Sequence, residues 1–292
     1  MACRDCFRGG VAVGDPKGSI TTIHGVETYV AGTPETTTSA STIIYYTDAF
    51  GLSLVNNKLL ADAYALATGF RVLVPNIIPG GPLSPEIMEL TDKLAEPVGF
   101  FDFSGQLARL YTIARALQLG VPFLWRAWPS YSSCFKPCLA YARKVKAELP
   151  PGAKLGAAGF CWGGYQSINL CSEPAVEGGS VRLLDAQFTA HPSGLKVPNQ
   201  ILDAVVTFQT PVAIAQAQDD FAISMASVQE TEADLRQQYG NGEGQNGYWY
   251  QITYYARVPH GFAVRARPGK ARDGEASDEA KEQAIAWFKR WL

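Results

Sequence analysis

Short apolar runs alternate along the chain with longer segments whose apolar residues recur at helical spacing. The runs Ser41–Tyr46 and Phe70–Pro75 are apolar on both faces, which is typical of buried parallel strands. Between them, Leu54–Thr68 has helical spacing and is followed by Gly69, a common residue at a helix end. A strand, a helix and a second strand in this order predict a parallel pair joined by a right-handed crossover.

The alternation continues to the last residue. A hairpin at a sheet edge is predicted for Ser19–Ala31, which alternates around Gly25. Further strands are predicted over Ala186–Ala190, Val212–Ala217 and Tyr248–Tyr255, and helices over Gln106–Leu119, Cys134–Leu149, Ser224–Tyr239 and Asp278–Trp291. This order predicts a single α/β domain over residues 1–292, with a mostly parallel central sheet and helices on both faces.

Two segments depart from the alternation. Residues 1–18 are rich in glycine and show little periodicity, so they are predicted to form an extended lead-in. Residues 77–133 form an irregular insertion rich in proline and aromatic residues. Such an insertion either caps a binding site at the carboxyl edge of the sheet or covers the core, and the sequence leaves both alternatives open.

The composition of the chain argues against nucleic-acid-binding and membrane-bound functions. The chain has 292 residues, 47% of them hydrophobic, and a formal net charge of −2. A balanced charge without a basic run argues against a nucleic-acid partner. No apolar run approaches the ~20 residues that span a bilayer, so no membrane partner is predicted. The first ten residues lack the apolar centre of a signal peptide, which predicts a cytoplasmic protein.

Six cysteines without a secretory signal favour free thiols over a disulfide framework. Cys3 and Cys6 form a C-x-x-C pair, and Cys134 and Cys138 a C-x-x-x-C pair. Four such sulfurs would suit zinc if the fold brought them together. The simpler interpretation is unrelated thiols, so neither a metal nor another cofactor is predicted.

The strongest local signal lies within Lys154–Leu170. Its centre, Gly159-Phe160-Cys161-Trp162-Gly163, is a G-x-C-x-G pattern between an apolar strand-like run and a helix-compatible run. This is the nucleophile-elbow pattern, with sulfur where serine usually stands. The apex residue takes a strained backbone conformation, and a Cβ at either glycine would collide with the turn. The pattern therefore predicts Cys161 as the nucleophile.

A thiol at such an elbow needs a base, and the base needs an orienting acid. In the nucleophile-elbow arrangement these follow successive strands in the order nucleophile, acid, histidine. His260, in a Pro-His-Gly turn after the last predicted strand, is the predicted base. His24 lies in the edge hairpin, and His191 ends a strand from which it could reach the pocket.

Two adjacent carboxylates compete for the acid role. Asp219 directly follows a predicted strand, so its side chain is expected to project toward His260. Asp220 is expected to cap the following turn or helix. We therefore predict a Cys161–His260–Asp219 triad, with an oxyanion hole formed by the backbone N–H groups of Trp162 and Ala49.

At these residues the sequence resembles the dienelactone hydrolase family, carboxymethylenebutenolidases of the α/β-hydrolase fold. The matching blocks are Thr47-Asp48-Ala49-Phe50-Gly51, Gly159-Phe160-Cys161-Trp162-Gly163-Gly164, Gln218-Asp219, and His260-Gly261-Phe262-Ala263-Val264-Arg265. The resemblance implies hydrolysis of enol-lactones through an acyl-thioester, with Cys161, Asp219 and His260 as the family triad.

The resemblance also implies residues that meet the substrate. Asp48 stands where bacterial members carry a glutamate that holds the resting thiol, and it is one methylene shorter. Arg265 resembles the arginine that binds a substrate carboxylate, with Arg267 as an alternative. His191, in an Ala-His-Pro-Ser run, matches a feature of the eukaryotic branch and is implied to line the pocket. The implied partner is thus a small ester or lactone, with or without a carboxylate.

These observations predict a cysteine-dependent hydrolase of an activated ester or enol-lactone. Two alternatives stay open. In one, the same site captures its intermediate internally, as a cyclase or isomerase of natural-product biosynthesis. In the other, the domain is a non-catalytic redox-sensing or binding protein.

Overall fold

The computed structural model describes residues 9–33, 35–127 and 131–292. Its centre is one eight-stranded sheet with the order β1-β2-β4-β3-β5-β6-β7-β8. The strands are β1 Ser19–Ile23, β2 Val26–Ala31, β3 Thr42–Tyr46, β4 Arg71–Pro75, β5 Leu155–Phe160, β6 Ala186–Ala190, β7 Val212–Asp219 and β8 Tyr250–Pro259. All neighbours from β4 to β8 pair in parallel, whereas β1–β2 and β2–β4 pair antiparallel.

The antiparallel part is the predicted edge hairpin. Its two-residue turn is His24-Gly25, and both residues have positive φ, 53° and 81°. That turn geometry matches the twist of two antiparallel strands. His24 therefore lies at the edge of the sheet, where its Nε2 is 3.4 Å from Glu148 and far from the other two histidines in the strand order.

The described residues contain eight α-helices. They are α1 Val55–Thr68, α2 Glu86–Ala95, α3 Phe103–Ala127, α4 Tyr131–Glu148, α5 Trp162–Leu170, α6 Asn199–Val206, α7 Met225–Tyr239 and α8 Ala271–Trp291. Helices α1 and α8 pack against each other, and α5 packs against α4 and α6. The helices flank the mostly parallel sheet, which confirms the predicted fold class.

Several elements differ from the sequence prediction. Helices α2 and α6 were not predicted, and α3 extends beyond the predicted Gln106–Leu119 at both ends. At the start of α3, the Asp102 carboxylate accepts hydrogen bonds from the Ser104 hydroxyl and the Gly105 N–H, which satisfies part of the first turn. The helix also continues through Pro122, where a sequence pattern predicts an end.

The lead-in and the insertion both contact parts of the chain near the carboxyl edge of the sheet. Asn56 on α1 holds the lead-in, because its side chain accepts from the Ala12 N–H and donates to the Gly10 carbonyl. In the insertion, the Leu83 N–H donates to the Ala49 carbonyl at 2.8 Å. Whether residues 77–133 form a cap stays a prediction.

The two cysteine pairs noted in the sequence, Cys3/Cys6 and Cys134/Cys138, have different outcomes. Cys134 and Cys138 lie on α4 and are buried, and burial raises the pKa of both thiols. Cys3 and Cys6 lie outside the described residues. Within the described residues, no three histidine, cysteine or acidic side chains are grouped so as to hold a metal ion. In the same part of the chain, no helix combines the length and apolarity needed to cross a bilayer.

Candidate active site

Cys161 is the single residue between β5 and α5, and its backbone is strained, with φ 52° and ψ −112°. The two glycines that flank it are there for steric reasons. A Cβ at Gly159 would collide with the Ser167 hydroxyl, and a Cβ at Gly163 with the Tyr46 carbonyl. The Gly163 N–H also donates to the Thr47 carbonyl at 3.0 Å, which ties the elbow to the loop after β3. The predicted elbow geometry is present at Cys161.

Parallel pairing places the chemically active segments together. Tyr46 pairs with Gly159 and Phe160 pairs with Ala190, so β3, β5 and β6 end side by side. The carboxyl ends of β7 and β8 continue the same edge. The residues that follow these ends, including Asp48, Cys161, His191, Asp220 and His260, therefore meet at one edge of the sheet.

The acid beside His260 is Asp220, so the prediction that Asp219 projects toward His260 is wrong. His260 Nδ1 lies 3.0 Å from Asp220 Oδ1 and 3.1 Å from Oδ2, and both side chains are fully buried. Asp219 is the last residue of β7 and is exposed. The β7–β8 ladder is irregular between Ala217 and Asp219, which breaks the simple alternation that the prediction assumed.

Cys161 and His260 shift each other's pKa. Burial alone raises the pKa of the Cys161 thiol, but the positive charge of His260 brings it below its ordinary value. Burial alone lowers the pKa of His260, but the negative charges of Asp220 and Cys161 raise it to about 10. Both directions favour a thiolate beside an imidazolium.

Ser193 donates a hydrogen bond to the sulfur of Cys161. Its hydroxyl lies 3.2 Å from Cys161 Sγ, and its N–H donates to the Cys161 carbonyl at 3.0 Å. This bond also lowers the pKa of Cys161. His260 Nε2, in contrast, has no partner at hydrogen-bonding geometry in the described residues. The resting sulfur is thus bonded to Ser193, with the imidazole beside it.

Asp48 is bonded away from the sulfur. Its Oδ2 accepts from Arg265 Nε at 2.9 Å, and its Oδ1 accepts from Asn57 Nδ2 at 3.0 Å. Arg265 is 2% exposed and its guanidinium also lies over the Phe50 ring. Asp48 still acts on the thiol through its charge, which raises the pKa of Cys161. In place of the thiol-holding role that the family resemblance implies for this position, Asp48 forms an ion pair with Arg265, and Arg267 pairs with Asp273.

His191 lies in the site with no exposed surface. Its ring packs edge-on against His260, with centroids 4.9 Å apart, and also contacts Phe262. Neither ring nitrogen has a hydrogen-bond partner in the described residues. Burial and the positive charges of His260 and Arg265 hold the pKa of His191 well below its usual value. The His191 side chain is therefore neutral, and its ring lines the site beside the His260 imidazole.

Two backbone donors remain available. The Trp162 N–H is the first of α5 and has no acceptor within the described residues, and the same holds for the Ala49 N–H in the loop after β3. Because β3 and β5 are neighbours, both groups lie near the elbow. Unpaired N–H groups at a helix start suit an oxyanion.

Sequence reasoning missed three contacts. The sequence ranks Asp220 second to Asp219, because strand alternation does not reveal the irregularity of the β7–β8 ladder. Ser193 and Asn57 carried no motif that marks a partner of the sulfur or of Asp48. The Ala-His-Pro-Ser run was the one available signal for Ser193.

The sequence pattern of the Dienelactone hydrolase family matches residues 126–292, more than half of the chain. The chain belongs to the dienelactone hydrolase family. It resembles "Hydrolase pyvD" of Aspergillus violaceofuscus, with 26% identity over 98% of this chain and 96% of the relative. It also resembles "Dienlactone hydrolase 1" of Gibberella moniliformis, with 26% identity over 98% of this chain and 93% of the relative.

Among solved structures, the fold is similar to one from Klebsiella pneumoniae that carries the dienelactone hydrolase name. The TM-score is 0.61 at 17% identity, and the match covers 94% of this chain and 98% of that one. That likeness shows the α/β-hydrolase fold. As a member of the dienelactone hydrolase family, the protein is a hydrolase that acts on ester bonds.

Proposed function

We propose that this dienelactone hydrolase family member cleaves an activated ester or enol-lactone by nucleophilic attack of Cys161, through an acyl-thioester. One observation carries the proposal. The thiol at the elbow shares the carboxyl edge of the sheet with His260, whose Nδ1 lies 3.0 Å from the buried Asp220 carboxylate. These charges lower the pKa of Cys161 and raise that of His260. A thiolate–imidazolium pair is the activated form of a cysteine nucleophile.

In the proposed reaction, the Cys161 thiolate attacks the acyl carbon and the carbonyl oxygen becomes an oxyanion. The Trp162 and Ala49 N–H groups stabilise it, each worth roughly 2.7–4 kcal/mol of barrier by analogy with other oxyanion holes. The leaving oxygen departs as an enolate or phenolate, and the His260 imidazolium supplies a proton. Water activated by His260 then cleaves the thioester, while Asp220 holds the imidazole in place.

The chemistry of sulfur restricts the substrate. A thiolate is itself a good leaving group, so the tetrahedral intermediate partitions forward only when the oxygen leaves at least as easily. Enol-lactones and aryl esters meet this condition, and ordinary amides do not. A substrate carboxylate would have to share Arg265 with Asp48, which already binds Arg265 Nε. Matched esters with and without a carboxylate would measure that contribution.

Trapping the intermediate tests the proposal directly. The full chain is mixed with p-nitrophenyl acetate, quenched in acid within the first turnovers and analysed by peptide mass spectrometry. We expect one acetyl group on the peptide that contains Cys161, removable by hydroxylamine. An acetyl group on another residue, or turnover with no adduct in the wild-type chain and in Cys171→Ala, would contradict the proposal.

The Ser193 hydroxyl is expected to lower the pKa of the Cys161 nucleophile and so to raise its reactivity at neutral pH. Removal of its hydroxyl in Ser193→Ala takes away the hydrogen bond to the sulfur, so the pKa of Cys161 should rise. A hydrogen bond to a charged group is worth about 1.5–3 kcal/mol, so we expect iodoacetamide labelling at neutral pH to slow by about tenfold or more. The acid limb of the pH–kcat/KM profile should move to higher pH.

Ser193→Thr is the matched control, because it keeps the hydroxyl. Its labelling rate and pH profile should stay close to those of the wild-type chain. If Ser193→Ala also leaves the labelling profile unchanged, the hydrogen bond does not stabilise the thiolate.

A further inference from the structure

Helix α3 carries an apolar stripe on its outer side. The stripe, called here the outer stripe of α3, consists of Phe103, Leu107, Leu110, Ala114, Leu117, Val121 and Trp125, all exposed. Phe103 and Trp125 at its ends are 81% and 82% exposed. The buried side of the helix, which includes Thr112 and Phe123, faces the opposite way and packs on the protein. The outer stripe is therefore an exposed apolar surface that does not contribute to the core formed by the described residues.

The spacing of the outer stripe indicates a helical partner. Successive members are four, three, four, three, four and four residues apart. At about 100° per residue they lie within an arc of about 80°. A narrow seam with this alternation is the pattern of helix-on-helix packing, and it is narrower than the apolar face that a helix presents to a core.

The outer stripe is nearly symmetric about Ala114. Phe103 and Trp125 lie eleven residues to either side of it, and Leu107 and Val121 lie seven residues to either side. Leu110 and Leu117 lie four and three residues away. An antiparallel copy of the helix would place large residues opposite large ones and the small Ala114 at the crossing point, where two helix backbones approach most closely.

Charge and area agree with self-pairing. The outer stripe contains no charged residue, so two copies would meet without like-charge repulsion, and nothing in it would recognise a charged partner. Aromatic side chains present about 150–250 Å² each, so the exposed parts of Phe103 and Trp125 offer roughly 240–410 Å². The aliphatic members of the stripe bring this to the order of the ~800 Å² per partner of a standard interface.

We propose that the outer stripe of α3 packs antiparallel against the same stripe of a second copy of this chain, about a two-fold axis at Ala114. Such a contact is isologous and closes after two subunits, which makes the protein a homodimer. Leu117 and Val121 also line an apolar groove between α2 and α3. A side chain of the partner subunit would fill that groove and extend the interface toward α2.

Molar mass tests the proposal. Light scattering after size-exclusion chromatography of the full chain should give twice 31.6 kDa at micromolar concentration. In the double variant Leu110→Glu, Leu117→Glu, four carboxylates would meet in an apolar seam, and the dissociation constant should rise by at least about 100-fold. Leu66→Glu is the matched control, because Leu66 is 73% exposed on α1, outside the stripe. All variants should keep esterase activity, which reports that they are folded.

A disulfide trap tests the geometry. In Ala114→Cys, the two new thiols would lie at the two-fold axis, close enough to form a reducible dimer under mild oxidation. The wild-type chain and Leu66→Cys, treated identically, are the controls. A monomeric wild-type chain, a dimer that survives the glutamate substitutions, or no Ala114→Cys cross-link would overturn the proposal. A monomer that cosediments with phosphatidylglycerol vesicles through the same stripe would assign the stripe to a lipid surface instead.

Discussion

Cys161→Ala is expected to reduce turnover of an enol-lactone or aryl ester by at least about 10⁴-fold, with the fold retained. In subtilisin, loss of the nucleophile alone costs about as much as loss of the whole triad, because the remaining groups have nothing to activate. At this elbow His260 and Asp220 would be left without the thiol they polarise. The backbone donors would still bind a carbonyl oxygen, which leaves a residual rate above that in water.

The fold should tolerate this substitution. The native residue at position 161 already carries a Cβ in the strained conformation, so alanine adds no steric conflict. Thermal unfolding of Cys161→Ala should stay within a few degrees of the wild-type transition. Cys171→Ala is the matched control, since it removes a buried thiol that the mechanism does not use. Substantial turnover by a verified Cys161→Ala protein would remove Cys161 from the reaction.

Asp220→Asn is expected to lower kcat/KM by about 10²–10⁴-fold, whereas Asp219→Asn should change it by less than about twofold. The Asp220 carboxylate accepts the His260 Nδ1–H at 3.0 Å and balances the imidazolium charge. An asparagine amide at the same place cannot balance that charge and favours the wrong tautomer, as in serine proteases. Asp219 is exposed and lacks this contact.

The two variants also differ in a measurement that does not depend on turnover. Loss of the Asp220 charge lowers the pKa of His260, which weakens the imidazolium that stabilises the thiolate. Iodoacetamide labelling of Cys161 should therefore shift to higher pH in Asp220→Asn and stay unchanged in Asp219→Asn. The reverse pattern, with activity lost in Asp219→Asn alone, would restore the assignment made from the sequence.

Asp48 and Arg265 show how tertiary structure changes a role that a family resemblance implies. A shorter acidic side chain in the loop after β3 could be identified from the sequence, and so could an arginine after His260. Their ion pair joins residues 217 positions apart and is buried, so no local pattern reports it. In this arrangement the sulfur is bonded to Ser193, which is 32 positions away from it in the chain.

The sequence by itself determined the alternation of strands and helices, the elbow at Cys161 and the turn that carries His260. These features depend on local rules, namely side-chain periodicity, glycine sterics and the order of strands in a parallel sheet. The tertiary structure decided the choice of Asp220 over Asp219, the Ser193 bond to the sulfur and the exposure of the outer stripe of α3. Each of these depends on which segments become neighbours after folding. In the β7–β8 ladder, the step from Ala217 to Asp219 is matched by a step two residues longer in β8, from Tyr255 to Pro259, and no local pattern reports such a shift.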